Sequence, residues 1–230
     1  MSRMSWPAAP GPERLVLLSA PGRDAAVTAV AVLLTVGVFA AVGDHGTLTS
    51  IQRLDDGWLR LMASGRTLPL TVIAKVFHIL GLVYVTLPAR MAVAGFLALR
   101  RRWWHLTAFT AAVVVSEVLI GVLKGIYGRA RPPGSLVLTT GTSFPSGHAV
   151  AASATVVAAV IAMVPPGRRR TWWALAAAFS ILMGLSRAYL GAHWLSDAAA
   201  GILLGMSCAV VTALMVSQIQ RHVAGRRGPA

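Results

Sequence analysis

The sequence predicts an all-α protein, a bundle of six transmembrane helices, and three observations carry that prediction. Of 230 residues, 56% are hydrophobic and only 12% are charged, against roughly 25% charged in a soluble domain. The apolar residues fall in runs long enough to cross a hydrocarbon layer of about 30 Å at about 1.5 Å per helical residue. The basic residues sit in short clusters between those runs. A net charge of +14 also raises nucleic acid as a partner, but aromatic residues do not interleave with the clusters. Loops facing an anionic membrane surface account for the charge better, and nucleic acid is set aside.

Taken in order, residues 1–24 are proline-rich with mixed charge and read as a flexible tail. Leu15–Leu18 is too short to span, and no signal-peptide pattern follows the start. Residues 25–43 are uncharged and make the first span. In 44–68, Ile51, Leu54, Trp58 and Leu61 recur at helical spacing. That stretch is either a short amphipathic helix along the interface or a solvated connector. The second span lies within 69–99, with a kink expected at Pro88. Arg90 inside it either faces other helices or reaches toward headgroups. Arg100–Arg102 close the span, and Trp103 and Trp104 form an interfacial belt.

The third span, 104–124, holds Glu117, which either helps set the charge of a site or makes a structural hydrogen bond. A polar loop covers 125–144. The fourth span starts at Pro145 and ends near Val164, the fifth is 171–187 and the sixth 194–217, with a basic tail over 221–230. Six spans put both termini on one side. Lys and Arg then number three each in the N-terminal tail, at 100–102, at 168–170 and in the C-terminal tail, all on that same side. By the positive-inside rule this side is cytoplasmic, and 44–68, 125–145 and 187–193 face outward. Cys208 is the one cysteine, so no intrachain disulfide forms.

The outward loops hold the residues that topology does not explain. Lys124, Arg129 and Arg131 place three cations on the wrong side. Pro145-Ser146-Gly147-His148 leads into a helix, and a helix start with a serine and free N–H groups is an anion site. Ser186–Asp197 adds Arg187, His193 and Asp197, the last the only acid after residue 117. On a helix, His193 and Asp197 four apart would share a face and hydrogen-bond, making the other imidazole nitrogen a better nucleophile. Arg187 lies about 240° from His193 on an ideal helix, so the two meet only if the chain turns, which Gly191 permits. Alone, this set could instead be a membrane-interface ion pair. With the other segments the inventory suits phosphate: cations and N–H donors for oxygens, a nucleophile, and an acid for the leaving group. No His, Cys or Asp group has metal-ligand spacing, so neither metal nor cofactor is expected. His45, His78, His105 and His222 lack a carboxylate at helical spacing and read as surface or interfacial residues. Arg129 either meets a headgroup or flanks the loop.

These segments resemble the three-part signature of the type 2 phosphatidic acid phosphatase superfamily, which also takes in vanadium haloperoxidases and bacterial non-specific acid phosphatases. Lys124, six residues, then Arg131-Pro132 match its first part; Pro145-Ser146-Gly147-His148 match the second. Ser186-Arg187, five residues, His193, three residues and Asp197 match the third. The resemblance covers 124–197 closely and leaves 1–70 without a counterpart. It implies a membrane lipid phosphatase with its active site at the outer membrane–water interface. It also implies roles: His193 as nucleophile and Asp197 as its orienting carboxylate, with His148 as acid and then base. Lys124, Arg131, Ser146, Gly147 and Arg187 would hold the phosphate. The implied partners are membrane lipids and a lipid phosphate: undecaprenyl or another polyprenyl diphosphate, phosphatidic acid, phosphatidylglycerol phosphate or a prenyl-phosphate sugar. A vanadate-dependent haloperoxidase and a non-enzymatic lipid-phosphate binder or transporter are the rival readings. Oligomeric state stays open.

Overall fold

The computed structural model describes residues 21–226. The expected tail over 1–20, with Arg3, Arg14 and Leu15–Leu18, and residues 227–230 lie outside the described residues. Eight α-helices follow one another: α1 Pro21–Gly43, α2 His45–Ser64, α3 Leu68–Leu80, α4 Val83–Leu99 and α5 Trp103–Tyr127. After a long loop come α6 Gly147–Met163, a 3-10 turn at Pro166–Arg168, α7 Arg169–Tyr189 and α8 Leu195–Arg226. No strand occurs among the described residues.

The first helix begins before residue 25 and the last ends after residue 220, the bounds expected for the six-span domain. Residues 21–24 are helical rather than tail, since Pro21 opens α1 and Asp24 sits in its first turn, where a carboxylate favours the helix dipole. At the other end α8 runs on to Arg226. Charge alone does not stop a helix, and no proline interrupts 217–226, so residues 221–226 continue α8.

The connector is the 20-residue helix α2. Asp44 caps it, its carboxylate accepting from the Thr47 N–H at 2.8 Å. Leu54 and Leu61 of the apolar stripe lie on the open side, while Asp55 is the buried residue of the helix. The second span bends by 54° between α3 and α4, at Gly81–Leu82 rather than at the expected Pro88, through which α4 continues. Gly81 takes this place because a Cβ there would lie 2.2 Å from Cδ2 of His148.

Among the described residues three helices are long and apolar enough to cross a membrane: Gly22–Gly43, Trp103–Tyr127 and Leu195–Arg226, with a fourth crossing if α3 and α4 form one bent span. α6 is apolar but has 17 residues, and α7 bears arginines at both ends; by length and composition neither adds to that number. The described chain is a helical membrane protein that presents its apolar side chains outward. On α1, Val27, Val30, Leu33, Leu34 and Val36 are all more than half exposed, an area a soluble monomer rarely leaves open.

Small residues hold the centre together. α6 buries Ala149, Ala151, Ala152, Ala154, Ala158 and Ala162, and α8 meets it through Gly201 and Gly205. A Cβ at Gly201 would lie 2.7 Å from the Ser146 carbonyl, and one at Gly205 would lie 2.4 Å from that of Val150. This small-xxx-small contact lets two backbones touch. It also fixes the start of α6, and so Ser146 and His148, against the start of α8. A buried Thr35–Ser207 hydroxyl pair at 2.8 Å ties α1 to α8. Away from the site, Leu97, Phe109, Ile161, Ala213 and Val216 fill an apolar cluster.

Arg90 faces other helices. It donates to Glu117 of α5 at 2.7 Å and to Thr155 of α6 at 2.9 Å, so Glu117 is its structural partner. His105 is buried rather than interfacial.

Candidate active site

The loops after α5 and α7 and the break between α3 and α4 gather at one end of the bundle. α5 ends on Gly128 in the left-handed region, φ +54°, which turns the chain toward Arg129 and Arg131. α7 ends at Tyr189, and Gly191 at φ +67° makes the expected turn. His193 then lies in the α7–α8 loop while Asp197 lies in the first turn of α8. The two therefore do not share a helix face as the spacing suggested.

His193 is 4% exposed and Asp197 is fully buried. Nδ1 of His193 lies 2.7 Å from the Ser143 carbonyl oxygen, which can only accept, so Nδ1 carries the proton and Nε2 the lone pair. The Asp197 carboxylate stands 3.7 Å from Nδ1, beyond hydrogen-bond length. It accepts instead from the Ser143 hydroxyl, from the Trp194 N–H at 3.0 Å and from Arg129 at 2.7 Å. A backbone carbonyl sets the tautomer, and the carboxylate supplies charge. Burial pushes the His193 imidazole down to about 4; the Asp197 carboxylate opposes this, and the Arg131 and Arg187 cations add to the fall. His193 is thus a neutral imidazole at pH 7 with its lone pair on the exchangeable side.

Arg131 donates to that lone pair from Nη1 at 3.1 Å and to the Ala192 carbonyl at 2.6 Å. Its other nitrogens meet the carbonyls of Thr140, Gly141 and Thr142. Lys124 shares the Thr142 carbonyl at 2.6 Å. Both cations are thus held by the same loop of carbonyls, with Arg131 against Nε2 of His193. Arg187, 2% exposed, donates to Nδ1 of His78 at 2.6 Å, and the His78 ring stacks on His148 at 5.3 Å. Ser146 caps α6 without a side-chain hydrogen bond, and its N–H donates to the Asp197 carbonyl at 3.1 Å. Gly147 begins α6 beside Ile120. All eight sequence-predicted residues are therefore placed in one linked region.

Three buried polar atoms in it have no protein partner: Oγ of Ser146, Nε2 of His148 and Nε of Arg187. Such orphans are rare in folded proteins, and here three come from two predicted segments, 145–148 and 186–197. The arrangement offers a cationic and hydroxyl-lined seat for an oxyanion, a neutral nucleophile and a second imidazole. Among the described residues no three His, Cys, Asp or Glu side chains gather as metal ligands would.

Four residues extend the predicted set. Arg129 does not merely flank its loop: it is buried and binds Asp197 and Ser196 with one nitrogen, Gln52 and Asp55 with the other, each at 2.7 Å. Asp55, 2% exposed, comes from α2. Ser143 holds His193, and His78 sits within the site rather than at an interface. Arg129 was flagged as one of three misplaced cations, but nothing local in the sequence marks Asp55, Ser143 or His78.

The chain is similar to known proteins in sequence and in fold. Phosphatidylglycerophosphatase B of Bacillus subtilis (strain 168) is 29% identical over 133 residues, 55% of this chain; the match spans 66% of that protein's length, just short of two thirds. The crystal structure of the first transmembrane PAP2-type phosphatidylglycerolphosphate phosphatase from Bacillus subtilis superposes with a TM-score of 0.72 at 22% identity, over 85% of this chain and 96% of that one. The crystal structure of Aquifex aeolicus LpxE gives 0.56 at 26% identity, over 67% and 91%. The model of the PAP2 superfamily matches residues 103–221, more than half of the sequence and every predicted site position, and the chain belongs to that superfamily.

Proposed function

We propose that this protein is an integral membrane lipid phosphatase that works through a phosphohistidine on His193. The observation that carries the reading is the set of orphaned atoms on Ser146, His148 and Arg187 beside a neutral His193. A phosphate oxygen would accept from Arg187 Nε and Ser146 Oγ, and Arg131 would exchange its contact with Nε2 for a second oxygen. Lys124 and the Gly147 N–H at the start of α6 complete the cradle. Nε2 attacks phosphorus as the P–O bond to the lipid breaks, and His148, which takes up a proton when the phosphate dianion binds beside it, gives that proton to the departing oxygen. Water then loses a proton to His148 and attacks phosphorus, the Nε2–P bond breaks, and phosphate leaves. Asp197 stabilises the positive charge that His193 carries while phosphorylated.

Membrane placement follows the same reading. Helices α1, α3 with α4, α5, α6, α7 and α8 make six crossings, both termini are cytoplasmic, and the site opens outward. The substrate is a phosphomonoester or diphosphate of a lipid. Phosphatidylglycerol phosphate leads, because the relatives' names carry it, ahead of phosphatidic acid and a polyprenyl diphosphate. Phosphate release by purified protein from these three lipids tests the reading. Release from at least one, blocked by orthovanadate and lost in His148→Ala, supports it. No release from any, by protein that is folded in detergent, overturns it.

A further inference from the structure

We propose that Asp55 and Arg129 are positioning residues for phosphoryl transfer, with Asp55 keeping the Arg129 charge from neutralising Asp197. The inference rests on the phosphohistidine reading above and extends it to α2, a helix outside the predicted signature.

Arg129 is the only cation bonded to the Asp197 carboxylate among the described contacts, at 2.7 Å on Oδ1. Paired with that carboxylate alone it would cancel the negative charge. At the His193 ring the carboxylate's field would then fall when the imidazole becomes cationic on phosphorylation. Asp55 changes this balance. It binds the other guanidinium nitrogen at 2.7 Å, so two carboxylates share one cation and the trio keeps a net charge of about −1, which is felt strongly in a poorly screened interior. Gln52 accepts from the same nitrogen at 2.7 Å. The Trp194 ring covers the guanidinium, 5.5 Å from its centroid.

The geometry also gives Asp55 a positional role. Its Oδ1 accepts from the Ser196 N–H at 2.9 Å and its Oδ2 from the Ser196 hydroxyl at 2.6 Å. A carboxylate from α2 thereby caps the first turn of α8, one residue before Asp197. Removing it loosens the turn that aims Asp197 and also shifts the charge that Asp197 presents. Neither Asp55 nor Arg129 is placed against phosphate in this reading, so substrate affinity should hold while the chemical step slows.

The test uses full-length protein in detergent and the lipid phosphate that wild type hydrolyses. Asp55→Asn should lower kcat by about 10- to 100-fold, the scale seen when outer partners of site ligands are removed, with KM unchanged. First-turnover phosphoenzyme formation should slow by the same factor. Asp55→Glu, which keeps the charge, should recover much of the rate. Arg129→Lys, which cannot bridge two carboxylates, should resemble Asp55→Asn, and the double variant should be no slower than the slower single one, as for residues acting as a unit. Melting temperature is followed throughout, so that rates are compared per folded molecule. Wild-type kcat in folded Asp55→Asn and Arg129→Lys overturns the inference, as does a loss confined to KM or one that Asp55→Glu does not relieve. If wild type itself releases no phosphate from any lipid, it is the proposed function that fails, and this inference with it.

Discussion

At the residue scale the site departs from a familiar triad in one respect that has consequences. The His193 tautomer is held by the Ser143 carbonyl at 2.7 Å, while Asp197 stands back at 3.7 Å. In a serine-protease triad the Asp→Asn change costs roughly 10⁴-fold because it imposes the wrong tautomer. Here Asp197→Asn leaves the carbonyl in place, so the loss in kcat should fall well short of that; a loss as large or larger would show that the carboxylate does set the tautomer. The depressed imidazole makes a second prediction. In the proposed mechanism His193 attacks when neutral, and burial holds it neutral down to about 4 instead of the ordinary value near 6.5. Phosphoenzyme formation from an activated aryl phosphate, which needs little acid help, should hold steady as pH falls to 5 and drop only near 4. Half-loss near pH 6.5 would contradict a buried, uncharged nucleophile. The motif residues stood out because their chemistry is unusual among apolar neighbours, while their roles came from the resemblance to a family signature rather than from spacing. Ser143 and His78 did not stand out, since a serine in a polar loop and a lone histidine in an apolar run acquire meaning only from the partner that folding brings.

Elements explain what the residues cannot. Gly81, at the break between α3 and α4, gives up its side chain so that the His148 ring can lie against its backbone. Gly81→Ala should displace His148 by more than an ångström and cut phosphate release by about 10²-fold, with the melting temperature nearly unchanged. Full activity in that variant would remove His148 from its assigned role. Gly205 does comparable work for stability. Its Cβ position is 2.4 Å from the Val150 carbonyl, a backbone atom with no rotamer to change, so Gly205→Ala should destabilise by about 1–3 kcal/mol, as overpacking does, and thermal unfolding in detergent measures it. The helices themselves were readable as apolar runs, including the 25–43 and 104–124 spans. Their ends and the bend were not, because a helix continues past a charge, as at Arg221, and because Gly81 is selected by a residue 67 positions away. The periodicity of α2 predicted a helix while hiding that Asp55, on the line of Ile51 and Trp58, is its buried residue.

Across the whole molecule, the basic clusters at 100–102 and 168–170 lie in the connections away from the site, and the long loop that carries Arg129 and Arg131 lies at the site. Orientation in the membrane is a proposal that labelling can decide. In a Cys208→Ala background, a cysteine at Gly141 should react with an impermeant thiol reagent added outside intact cells, and one at Gly167 should not. The reverse pattern would turn the site toward the cytoplasm and change the lipid pool it meets. The convergence of segments 124–132, 145–148 and 186–197 was legible because each carries an anion-binding signal and the spans between them return the chain to one end. The route by which α2 reaches Asp197 through Arg129 was not, since it depends on a contact 74 residues apart in sequence.

The central claim is that His193 carries phosphate during turnover, and trapping it is the most direct test. Purified protein is mixed with lipid labelled in its phosphate, quenched within the first turnover in alkali, where phosphohistidine survives, and digested for peptide mapping. One labelled peptide, the one containing His193, is expected, with no label and no phosphate release in His193→Ala. Phosphate release at a near-normal rate by His193→Ala, or label on a different residue, would contradict it.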